Sequence, residues 1–106
     1  MDPYLTPASR LRADAQSLEN RADRATGFAE DYERAGNYGE AVLCYRRAAR
    51  YLREAAAILR RAAETEGGTQ ADLDRASWFS LSAAGYDGFA AGVADYSGDH
   101  GEDEEE

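Results

Sequence analysis

Apolar positions in the first third of the chain step by four and three residues: Leu11, Ala15, Leu18, Ala22, Ala25, Ala29 and Tyr32. That period is a helical seam, and it predicts a helix over about 7–35 with Arg12, Glu19, Asp23, Glu30 and Arg34 on the opposite face. A second run, about 38–66, is apolar over a wider arc. Tyr45, Ala49, Leu52, Ala56, Leu59 and Ala63 form one stripe, and Cys44, Ala48, Tyr51, Ala55, Ile58 and Ala62 form another beside it. A helix with two adjacent seams has to bury against two partners, so this segment is expected at the centre. A third stripe, Trp78, Ser82, Tyr86, Phe89, Val93 and Tyr96, predicts a helix over about 70–97. It runs through Gly85, Gly88 and Gly92, and a break near Gly85 to Gly88 is the alternative reading.

The links between the runs carry stop and start signals. Thr6 is placed to cap the first helix and Pro7 suits its first position. Gly36 closes that helix, and Asn37 with Glu40 three residues on predicts an Asn version of the capping box. Gly67-Gly68 ends the second helix. Thr69 with Asp72 opens the third, with Asp72 and Asp74 favourably placed against its dipole. Short links between three helices of similar length predict an all-α fold, an up-down-up three-helix bundle over 7–97. A flexible lead at 1–6 precedes it, and a disordered acidic tail at 98–106 follows. Alanine dominates the first two seams, so the aromatic bulk of the third helix is expected to fill the remaining space.

The hairpin AEDYERAGNYGEAVLCYRRAARYLR resembles a tetratricopeptide repeat at Ala29, Tyr32, Gly36, Tyr38, Ala41, Tyr45 and Ala48. It departs from that pattern in having Arg53 where the family has its closing proline, and no second copy follows at a 34-residue period. Longer helices and a third segment are similar to the MIT domain. That likeness implies a three-helix bundle taking peptides in its interhelical grooves. The stretch AGNYGEAVLCYRRAARYL is also similar to HEPN domains. Their Arg-x4-6-His motif is missing here, so this likeness implies an inactive accessory member of a nucleic-acid or toxin system.

Composition narrows the partners. The chain has 106 residues, a formal charge of −9, and arginine at all 12 basic positions. Acid excess without lysine is the composition of salt-loving, GC-rich organisms. Six of the 21 acids lie beyond Gly98, which leaves the body at about −3. A negative body disfavours anionic membranes and non-specific nucleic-acid binding, both of which need a positive footprint. One cysteine, Cys44, allows no intrachain disulfide and fits a reducing, cytoplasmic setting. The N-terminus reads as no signal peptide and no apolar run is long enough to span a bilayer.

No catalytic constellation is present: the lone His100 sits in the tail, and neither a nucleophile–base pair nor a phosphate loop occurs. Asp99, His100 and Glu102 are poor grounds for a metal site, and neither cofactor nor metal is expected. The expected function is a non-catalytic protein–protein interaction module, with self-association as a monomer or weak homo-oligomer in the alternative. Two surfaces are candidates. Arg46, Arg47, Arg50 and Arg53, with Arg60 and Arg61, form the one basic arc of an acidic chain and would pair an acidic peptide. Their competing role is a solvated face with internal pairs such as Arg50–Glu54 and Arg60–Glu64. The second surface is an interhelical groove edged by Tyr51, Trp78 and Phe79. Cys44, Tyr38 and Tyr45 are expected in the core.

Overall fold

The computed structural model describes residues 6–104, with side chains described as far as Gly98. Residues 1–5 of the lead and the last two of the acidic tail lie outside it, as do the side chains of Asp99, His100 and Glu102. The described chain is three helices: α1 (Pro7–Arg34), α2 (Tyr38–Ala63) and α3 (Gln70–Glu104). α1 and α3 each pack along α2 and scarcely approach each other through their backbones. The doubly apolar second segment is therefore the central element. No helix among the described residues is long and apolar enough to cross a membrane.

The caps explain the boundaries. The Thr6 hydroxyl accepts from the Ser9 N–H at 3.1 Å, with Pro7 at the first turn. At the other end of α1, Gly36 takes φ +80°, its N–H donates to the Glu33 carbonyl, and the Asn37 N–H donates to the Tyr32 carbonyl at 2.8 Å. This is the Schellman pairing, and it needs a residue that tolerates the left-handed region. The expected Asn37–Glu40 capping box does not form. Asn37 sits at φ −88°, ψ 69° with no side-chain cap bond, away from the extended geometry that aims a cap side chain at the first turn. α2 stops at Ala63, a turn earlier than the pattern predicts, because Gly67 and Gly68 bring the chain back against its end.

α3 is one helix through Gly85, Gly88 and Gly92, so the alternative break is not seen. Its backbone remains helical from Gly98 to Glu104, past the predicted boundary at 97. Its rotation corrects the sequence reading. The buried positions are Asp72, Ala76, Phe79, Ala83, Ala90 and Val93, with Tyr86 half-buried, while Trp78 is 65% exposed. Ala76, Ala83 and Ala90 present small faces to the alanines of α2. Close approach of the helix backbones wins over burying the largest side chains.

Two apolar clusters make the core. One gathers Ala15, Ala22, Ala48, Leu52, Ala55, Leu59, Phe79 and Ala83, and the other Ala29, Ala41, Cys44, Tyr45, Ala90 and Val93. Phe79 and Leu59 are the largest enclosed side chains. Aromatic rings fill the space near the α1–α2 turn: Tyr45 stacks on Tyr86 at 6.3 Å, and Tyr38 meets Tyr96 edge-on at 5.0 Å. Cys44 is a buried filler.

Candidate docking surface

Helical spacing and the α1–α2 crossing assemble one basic, partly apolar surface. On α1, Arg21, Arg24 and Phe28 fall beside the buried seam rather than on it. On α2, Leu43, Arg47 and Tyr51 follow one another at four-residue steps, which place side chains on one face. Arg21, Arg24, Ala25, Phe28, Arg47 and Tyr51 line an open hollow between the two helices. An adjoining hollow on α2 is lined by Leu43, Arg46, Arg47 and Arg50. Arg47 lines both, so the two lie side by side.

The arginines of this surface make no ion pair among the described residues. Among the described residues the ion pairs are Arg12–Asp72, Arg34–Asp31, Arg53–Asp87 and Arg75–Glu19. Arg21, Arg24, Arg46, Arg47 and Arg50 take part in none of them, and the internal pairs Arg50–Glu54 and Arg60–Glu64 are not made. Five guanidiniums thus converge on one side of a chain of charge −9. Apolar surface lies among them: Phe28 is 59% exposed, Leu43 51% exposed, and the Tyr51 ring is half-buried with the Arg50 guanidinium 5.9 Å from its centroid.

The residues singled out from the sequence separate here. Arg46, Arg47, Arg50 and Tyr51 come together. Arg53 does not join them: it turns to the α3 side and pairs with Asp87, and Arg60 likewise donates to the Ser80 hydroxyl at 2.9 Å. Phe79 is 2% exposed and lines no groove, which corrects its assignment; the Arg75 guanidinium lies 5.2 Å from its ring centroid. Trp78 stands on α3, on neither hollow of this surface. The sequence reading missed Arg21, Arg24 and Phe28. The available signal was Phe28 itself, a large apolar residue off the α1 seam.

Two other polar sites have structural roles. Tyr45 donates its hydroxyl to Glu33 Oε2 at 2.9 Å, and burial, reinforced by that carboxylate, pushes its pKa up to about 12. Asp72, buried at the start of α3, accepts from Arg12 Nε at 2.7 Å and Nη2 at 2.8 Å and from the Thr69 N–H at 2.9 Å. The Arg12 hydrogen bonds hold its carboxyl below the usual range. No group of three or more potential metal ligands occurs among the described residues. No protein-family model, curated protein or solved structure matches the chain.

Proposed function

We propose that the protein is a non-catalytic docking module whose α1–α2 surface receives an acidic peptide segment carrying an apolar anchor. One observation carries the reading: five arginines without ion-pair partners surround the exposed parts of Phe28, Leu43 and Tyr51. Clustered like charges repel one another, and carboxylates relieve that repulsion through bidentate guanidinium pairs. Exposed apolar patches rimmed by charge mark protein-binding sites. The likeness of the hairpin to peptide-binding helical families points the same way.

The test is fluorescence anisotropy with the full chain and a labelled helical peptide bearing Asp and Glu around one Leu and one Phe. A Gln/Asn copy of the peptide and a single-stranded RNA serve as competitors. The acidic peptide is expected to bind, the neutral copy to bind at least tenfold more weakly, and binding to fade towards about 1 M salt, where the Debye length is about 3 Å. Alanine at Arg24, Arg47 and Arg50 together is expected to abolish it. Equal binding of the neutral copy overturns the reading, and preference for RNA replaces it with a nucleic-acid accessory role.

A further inference from the structure

A different face, on α3, is left largely open by the packing of the single chain, with one edge of the Phe89 ring against Tyr45 and Tyr86 at 5.8 and 6.0 Å between centroids. Trp78 is 65%, Leu81 69% and Phe89 59% exposed, and Tyr96 is nearly half exposed, resting edge-on against Tyr38. Between them lie Gly85, Gly88 and Gly92, all exposed, and a Cβ added at any of the three would meet nothing within 4 Å. Glycine lowers helix stability relative to alanine, and here the fold of one chain makes no use of its small size. Close approach of a second helix does. From Arg75 to Asp95 the one charged residue is Asp87, and it is tied to Arg53 of α2. The strip is therefore the uncharged side of an acidic molecule.

We propose that this face pairs with the same face of a second copy, the two α3 helices running antiparallel across a two-fold axis at Gly85. The occupant follows from the spacing. A two-fold interface must be self-complementary, and about Gly85 the pattern is: Leu81 and Phe89 lie four residues to either side, and Trp78 and Gly92 lie seven to either side. In the pair, Gly85 approaches its own copy, Leu81 packs beside Phe89, and the Trp78 indole covers the bare backbone at Gly92. The area is sufficient. With about 150–250 Å² for each aromatic side chain, the exposed parts of Trp78, Phe89 and Tyr96 together with Leu81 come to about 450 Å² per copy. The pair then approaches the ~1,000 Å² that a specific interface needs.

Sedimentation equilibrium of the full chain tests this. A dimer is expected that tightens as salt rises, because salt screens the repulsion of two negative bodies and leaves apolar contact intact. Peptide docking on the arginine surface has the opposite salt dependence, so the two proposals fail separately. Trp78→Ala is expected to weaken the dimer about 30-fold, the effect of losing a buried tryptophan anchor. Gly85→Gln should abolish the dimer while circular dichroism shows full helicity, since the added side chain meets nothing within one copy. Gly85→Cys should form an interchain disulfide and Gly92→Cys should not, because antiparallel copies hold the two residues at position 92 about 21 Å apart at 1.5 Å per residue. A wild-type monomer at all salt concentrations overturns the proposal. So do a dimer unaffected by Gly85→Gln, growth beyond dimers, and crosslinking at position 92.

Discussion

Arg12 of α1 holds Asp72 of α3 through two parallel hydrogen bonds, 2.7 Å from Nε and 2.8 Å from Nη2, and the same Nη2 donates to the Gly67 carbonyl at 2.7 Å. Asp72 is the one charged residue in the described interior. The contact ties together the start of α3, the α2–α3 link and the first helix, where α1 and α3 otherwise share little backbone contact.

Removing one partner leaves the other uncompensated. Arg12→Ala is expected to destabilise the fold by about 2–3 kcal/mol, below the ~3–5 kcal/mol of a fully buried pair because Arg12 is a third exposed. The pH dependence has a definite sign. The folded pKa of Asp72 is lowered, so its stabilisation is present above the ordinary carboxylate value near pH 4 and disappears as pH falls through the lower folded value. Thermal melts from pH 6 down to pH 2 should show this loss, and Asp72→Asn should flatten that part of the curve while lowering stability at neutral pH.

Tyr45 is buried and donates to a carboxylate, which raises its pKa to about 12. Tyr45 is expected to ionise late in an absorbance titration, and Tyr45→Phe should remove that phase. A raised folded value means stability fully present below the unfolded pKa near 10 and lost as pH rises through the folded one. Losing the hydrogen bond to Glu33 should cost about 1 kcal/mol at neutral pH.

Adjacent residues on α3 should respond in opposite ways. Phe79→Ala empties a position enclosed by α1 and α2 residues and is expected to cost about 3–5 kcal/mol in urea unfolding. Trp78→Ala removes a side chain 65% exposed and should change the stability of the single chain by less than about 1 kcal/mol. Equal effects at the two positions would contradict the rotation of α3 described above.

The link glycines should be intolerant. A Cβ at Gly68 would lie 2.2 Å from the Ala62 carbonyl oxygen and 2.6 Å from that of Ala63. Gly68→Ala therefore has to move the backbone, with an expected loss above about 2 kcal/mol in thermal or urea unfolding. Gly27→Ala, with open space at a mid-helix position, should instead gain about 1 kcal/mol.

Much of the architecture is legible in residue spacing. The α1 seam, the two stripes of α2 and the central place of that helix follow from apolar period alone, because a stripe that excludes water in two directions needs two neighbours. Thr6, Gly36 and the Gly67-Gly68 stop are local chemistry and read directly. Asn37 misled because capping depends on the backbone angles of the preceding turn, which the Schellman pairing at Gly36 sets. Trp78 and Phe79 misled for a different reason. Alanines recur on both sides of the third segment, so period and bulk disagree about which side faces inward.

Residue order thus determines three helices, their order and the middle position of α2, since these depend on hydrogen bonds and apolar contacts between near neighbours along the chain. Which face α3 turns inward, whether Arg53 stays free or pairs with Asp87, and the meeting of Arg21, Arg24 and Phe28 with Arg47 and Tyr51 were decided by the tertiary structure. Those outcomes depend on how closely two helix backbones approach and at what rotation, and that is set by side chains on the other helix, far away in the chain.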